Sequence, residues 1–87
     1  MATTISPHDL IAILDKHERF LTKKSGGLRA NLAMTDLRGI DLENVNLSLG
    51  KLSGANLSRS RLCYADLSDA DMFACNLERA DATCAVF

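Results

Sequence analysis

Tryptophan is absent from this 87-residue chain, tyrosine and proline occur once each, and aromatic residues make up only 5% of it. A core built on large aromatic side chains is excluded, which leaves a narrow interior filled by one smaller residue type. Charge of one sign is also lacking. Ten Lys and Arg against eleven Asp and Glu give a formal net charge of −1, so there is no general attraction to nucleic acid or to anionic membranes. No run approaches the ~18 apolar residues of a membrane span, and the N-terminus lacks the basic stretch and apolar core of a secretory signal. A soluble, cytoplasmic protein is the expectation. The three cysteines, Cys63, Cys75 and Cys84, are odd in number and contain no C-x-x-C pair. That argues against a disulfide framework and a zinc site and fits free thiols in a reducing compartment.

What is present falls into two parts, an N-terminal helix with its linker over 1–29 and a periodic body over 30–87. The chain has room for one domain, and one this small must bury its apolar residues efficiently. Charge is divided unevenly: 1–29 carries five Lys and Arg against three Asp and Glu, and 30–87 carries five against eight. The body is mildly acidic.

Ser6-Pro7-His8-Asp9 reads as a helix start, with Ser6 as cap, Pro7 at the first helical position and Asp9 where a capping-box carboxylate belongs. Ile5 and Leu10 occupy the two positions of a hydrophobic staple. Leu10, Ile13, Leu14, His17 and Leu21 then form one apolar stripe, with Phe20 at its margin. Lys23 and Lys24 suit the C-terminal end, and Gly26 or Gly27 suits the left-handed terminator. The spacing predicts a helix over about 7–24. A helix of this length takes most of its stability from packing, so the stripe is expected to cover the adjacent body.

From Ala30 onward the chain resolves into twelve blocks of five without a slip of register. A small residue comes first, Asn or Asp usually second, and a large apolar residue third: Leu32, Leu37, Leu42, Leu47, Leu52, Leu57, Leu62, Leu67, Met72, Leu77, Ala82 and Phe87. Five fits neither the 3.6 residues of an α-helix turn nor the 2.0 of a strand, and so short a period implies a solenoid. Positions one and three are expected to point inward, and positions two, four and five to face water. Gly39, Gly50 and Gly54, with the Asn and Asp residues, are read as the turn formers of the corners.

These blocks resemble the pentapeptide-repeat family, whose A-[DN]-L-x-x pattern recurs in tandem. The resemblance covers 30–87, and it implies an all-β solenoid: a right-handed quadrilateral β-helix of about three coils, four blocks per coil, with one N-terminal capping α-helix. Residues twenty apart then stack. The inward columns become Leu32-Leu52-Met72, Leu37-Leu57-Leu77, Leu42-Leu62-Ala82 and Leu47-Leu67-Phe87. Thr35, Ile40 and Val45 are bulkier than the usual inward alanine and are expected to widen the end that receives the helix. Arg61 is expected between Asp41 and Asp81, and Lys51 between Asn31 and Asp71. Cys75 should face inward, and Cys63 and Cys84 outward.

No catalytic, cofactor or metal constellation emerges. The repeat has no histidine; His8 and His17 lie on the helix, where His17 reads as a packed imidazole with no nucleophile to pair with. The evenly spaced Asp residues are those of the repeat and carry no catalytic signal. The expectation is a non-enzymatic protein–protein interaction or self-assembling scaffold module in a bacterial cytoplasm, with the outward Phe73, Met34, Leu49 and Tyr64 as candidate contacts. The protein partner is not identified by the sequence. The alternative implied by the resemblance is DNA mimicry, in which family members bind DNA gyrase and give fluoroquinolone resistance. One duplex turn is about 34 Å and needs about seven coils at ~4.8 Å, against under three here. Direct nucleic-acid binding is disfavoured by the lack of a basic stripe beside the outward aromatics. At the C-terminal end, Leu77, Ala82, Val86 and Phe87 form an apolar surface expected to mediate homodimerisation, as the resemblance also implies, or to meet further coils if the chain is a fragment.

Overall fold

The computed structural model describes residues 3–87. Its one helix, α1, runs Pro7–Leu21, with Pro7 in the first turn and the Ser6 side chain accepting a hydrogen bond from the Asp9 N–H at 3.1 Å. That bond satisfies one of the four free donors of a helix start. The C-terminus comes earlier than the glycines suggest. Lys23 takes the left-handed conformation at φ 58°, and its N–H and that of Lys24 donate back to the Phe20 and Arg19 carbonyls. This is a Schellman ending with lysine in the place glycine usually holds. Gly26 is also left-handed, but it lies in the linker. Gly27 has a different duty: a Cβ there would sit 2.5 Å from the Phe20 nitrogen, because the linker folds back against α1, where the Leu28 N–H donates to the Lys16 carbonyl at 3.0 Å.

The body is periodic at two lengths. At the shorter, each block closes with a hydrogen bond from the N–H of the next block's first residue to the carbonyl of its own third, from Thr35 to Leu32 through Ala85 to Ala82. All eleven fifth residues from Met34 to Cys84 have positive φ. A four-residue turn with positive φ at its third residue is of type II. Only two of these corner residues are glycine, Gly39 and Gly54. Gly50, expected as a turn former, is instead a buried first-position residue with ordinary φ.

At the longer period, parallel bridges join second-position residues twenty apart: Asn31 to Lys51 to Asp71, Asp36 to Asn56 to Asn76, Asp41 to Arg61 to Asp81, and Asn46 to Asp66 to Val86. Each coil therefore has four sides, and the charge columns fall as expected. Each side contributes a single bridge, so no extended strand forms among the described residues. The ladder bonds are short: Leu32 donates to the Lys51 carbonyl at 2.7 Å, and Leu37 to that of Asn56 at 2.8 Å. Second-position Asn and Asp have a local task. In all nine blocks that carry one, the Oδ1 accepts a hydrogen bond from the N–H two residues on, as in Asn31 to Ala33 and Asp66 to Ser68. This Asx turn holds the chain at the entry to the corner.

The core is the stacked third-position leucines. Leu32, Leu37, Leu42, Leu47, Leu52, Leu57, Leu62 and Leu67 are all buried, together with the first-position Ala30, Ala55 and Ala65. Met72 and Leu77, also expected in the core, are not: Met72 is half-buried and Leu77 exposed. They belong to the third coil, and among the described residues no further coil packs beneath them. Polar residues at inward first positions bond to turn carbonyls, Ser60 to Leu57 at 2.7 Å and Thr35 to Ala33 at 3.2 Å. Among the described residues no buried side-chain polar atom lacks a partner.

The N-terminal end is closed by two devices. Leu10 and His17 of α1 are buried, and Ile13, Leu14 and Leu21 are half-buried. Ahead of the helix, Thr3 lays a rung on the first coil: its N–H donates to the Met34 carbonyl, and the Asp36 N–H donates to its own, both at 2.7 Å. The bulky first-position residues serve this end unequally. Thr35 is buried beneath the rung, whereas Ile40 and Val45 are half-buried at the margins, beside Ile5 and Leu14 respectively.

Candidate functional site

His17, the most chemically capable side chain of the helix, is fully buried and occupied. Its Nδ1 accepts from the Ala30 N–H at 2.9 Å, and its Nε2 lies 2.7 Å from the Ser48 carbonyl. Those partners require a neutral ring protonated at Nε2. The imidazole ties α1 to the first coil and has no free nitrogen for catalysis.

The four corner edges of the coil differ in chemistry because the fourth and fifth positions do not enter the core. One edge carries Met34 and Phe73 around Gly54, and a Cβ on Gly54 would fall 2.2 Å from the Met34 sulfur. The next edge carries Arg38, Arg59 and Arg79. The third carries Glu43, Cys63, Tyr64, Thr83 and Cys84, and the fourth Leu49 and Asp69. The candidate contacts Phe73 and Met34 thus share an edge, whereas Tyr64 and Leu49 each stand on another. Phe73 is the most exposed, at 80%.

Charged groups on these surfaces are held locally. Arg38 grips Asp36 through two 2.9 Å bonds, which lowers the Asp36 pKa below the usual carboxylate range. Asp66 and Asp81 are also lowered, chiefly by the hydroxyls of Ser68 and Thr83 at 2.6 Å and then by the same residues' N–H groups. Arg61 stands between Asp41 and Asp81 in its column but pairs with neither; its guanidinium reaches Glu43 at 3.2 Å. Among the described residues no cluster of three or more His, Cys, Asp or Glu could hold a metal ion, and no helix is long and apolar enough to cross a membrane. A groove of about 510 Å³ beside the helix is lined by Ile11, Leu14, Leu21 and Val45 under a rim that includes Asp15 and Glu18. Thr22, Asn44 and Asn46 complete its lining.

The C-terminal end presents apolar side chains beside open ladder groups. Leu77 and Phe87 occupy third positions and are 36% and 59% exposed; Val86, a second-position residue bridged to Asp66, is 54% exposed, and Ala82 is half-buried. In the upper coils the third- and fifth-position N–H groups, that of Asp69 excepted, donate to the next coil, and the first-position carbonyl accepts from it. In the third coil the N–H groups of Met72, Ala74, Leu77, Arg79, Ala82 and Cys84 and the carbonyls of Ala70, Cys75 and Ala80 have no backbone partner. Sequence reasoning located the apolar residues here. The row of donors and acceptors beside them is what an uncapped final coil presents, and the direction of the ladder decides which groups it contains.

Five-residue blocks stacked by parallel bridges define a tandem repeat protein whose fold leaves its outer positions free. A family model of pentapeptide repeats matches residues 29–59, 41–79 and 51–87, eight copies in all. The chain belongs to the pentapeptide-repeat family. No curated protein matches it.

Proposed function

We propose that this chain is a non-enzymatic interaction module, built as a right-handed quadrilateral β-helix under one capping helix, that associates with a second copy through its C-terminal coil. Membership of a family of repeat scaffolds supports the first part. The observation that carries the second is the third-coil surface, where Leu77, Ala82 and Phe87 lie beside unpaired ladder groups. Apolar side chains and open sheet edges together form a surface that proteins usually cover. Two copies meeting about a two-fold axis bury both ends in one closed interface. Just under three coils at ~4.8 Å give a body of about 14 Å, too short to copy a duplex turn, so gyrase binding by mimicry is the weaker reading. A cytoplasmic setting fits the free thiols.

Light scattering of the 87-residue chain at about 100 μM, in the range of a weak interface, tests this reading. A dimer is expected, and Phe87→Asp combined with Val86→Lys should yield a monomer of unchanged circular dichroism. A wild-type monomer, or a dimer indifferent to both substitutions, refutes it.

A further inference from the structure

We propose that Cys63 and Cys84 form a reversible disulfide across the second and third coils, a redox modification site on the corner edge that carries Tyr64. The register brings the two residues together. Asp81 is bridged to Arg61, and the Tyr64 N–H donates to the Thr83 carbonyl at 2.9 Å. Cys63 therefore stacks on Thr83 and Tyr64 on Cys84, which makes the two cysteines diagonal neighbours. One coil spacing of ~4.8 Å and one chain step of ~3.8 Å place their Cα atoms about 6 Å apart, inside the range that a disulfide bridges.

The Cys63 side chain also reaches across the gap between the coils. Cys63 is a fourth-position residue, and its sulfur lies 3.9 Å from the Asp81 carbonyl oxygen, on the coil below. Cys84 is the fifth-position residue beneath Tyr64 on that lower coil, one chain step beyond Thr83. Cys84 is exposed and Cys63 half-buried, so both are open to reagents. Cys75 has no comparable partner; it lies at an inward first position on a different side, with its sulfur 2.9 Å from the Leu52 carbonyl.

The oxidant is a low-molecular-weight disulfide, and the exchange balances. The Cys84 thiol loses its proton to water, and its thiolate attacks one sulfur of the oxidant, breaking that S–S bond and releasing one small thiolate. The Cys63 thiol likewise loses its proton to water, and its thiolate attacks the Cys84 sulfur and expels the second small thiolate, leaving the Cys63–Cys84 bond. Two protein thiols are oxidised and one small disulfide is reduced. The contact with Asp81, burial, and the charges of Asp81 and Glu43 raise the Cys63 thiol above its ordinary value, which lowers its thiolate fraction and leaves the first attack to Cys84. The bond ties the open third coil to the second, and a small reducing thiol reverses it.

Incubation of the full chain with glutathione disulfide tests the proposal. The intact mass should fall by two hydrogens, alkylation after unfolding should find only Cys75 free, and peptide mapping should join the Cys63 and Cys84 peptides. Cys63→Ser should stop at a glutathione adduct on Cys84, and Cys84→Ser should form no internal bond, each with wild-type circular dichroism. Three alkylatable thiols after oxidation, a glutathione adduct that persists on the wild type, a bond involving Cys75, or a covalent dimer on a non-reducing gel overturns it.

Discussion

The imidazole of His17 takes its Nδ1 hydrogen bond from the backbone N–H of Ala30, the residue that opens the first repeat block. One buried side chain therefore joins the helix to the coil, because its other nitrogen reaches the Ser48 carbonyl. His17→Leu keeps the apolar packing and leaves a buried donor and acceptor without partners. Each such loss costs about 1–3 kcal/mol, so a destabilisation of about 2–6 kcal/mol is expected in urea unfolding. A loss below about 0.5 kcal/mol, the level of an ordinary surface substitution, would show that water replaces both bonds.

The Asx turns give a second expectation, separable by chemistry. Asp66→Ala removes the acceptor for the Ser68 N–H and hydroxyl and should cost about 1 kcal/mol. Asp66→Asn keeps the acceptor, as Asn46 does in the same column, and should be near neutral at pH 7. Equal losses for the two substitutions would rule out the turn as the reason for Asn and Asp at this position.

The same carboxylates set the response to acid. Asp36, Asp66 and Asp81 are lowered from an ordinary value of 3.8 by their hydrogen bonds. A lowered folded-state pKa contributes stability that is present above the unfolded-state value and is lost as pH falls through the folded one. Thermal midpoints should hold level down to about pH 4 and decline below it. The double variant Asp66→Asn with Asp81→Asn should decline less steeply. An acid limb identical to wild type would assign the loss to other groups.

Left-handed corners give opposite signs for two substitutions. Gly39 has φ 66° and open space around it, so Gly39→Val meets no neighbour but strains the backbone and should cost about 1–3 kcal/mol. Ala74 has φ 59° in an equivalent corner, and Ala74→Gly should be neutral or stabilising by up to about 1 kcal/mol. Melting temperatures that move the other way would mean that the corner conformation is not maintained in solution.

Hydrogen exchange should resolve the ladder coil by coil. The Met34, Leu49 and Tyr64 amides donate to the coil below, whereas those of Ala74 and Arg79 have no backbone acceptor. In dilute monomer the latter pair should exchange near the unfolded rate and the former slowly. Slow exchange of Ala74 and Arg79 in a protein shown to be monomeric would contradict the open edge.

Much of this was legible in the sequence because the third position is a strong signal. Leu32 to Leu67 recur every five residues, and the stacking of Asp41, Arg61 and Asp81 follows from that count. The limits were local. Nothing in Met34, Tyr64, Arg59 or Asp69 marks a left-handed residue, since the ladder imposes that backbone whatever the side chain. Lys23 ends α1 where Gly26 or Gly27 was expected, because the Schellman bonds to Arg19 and Phe20 outweigh a modest conformational cost. The Thr3 rung carried no pattern at all, for one bridge leaves no periodicity. At the C-terminal end Leu77 could be read both as core and as surface, because Met72 and Leu77 look the same in a block as Leu52 and Leu57. Burial there depends on whether another coil lies below.

The bridges between residues twenty apart make the molecule sensitive to the arithmetic of insertion. Adding five residues at a corner would preserve every turn yet rotate all that follows by a quarter circle, carrying Phe73 to the edge of the arginines and parting Cys63 from Cys84 if placed between them. Adding twenty would restore every side to its place and lengthen the body by one layer. Lineages of such proteins can therefore redirect their faces in quarter turns without redesigning the interior.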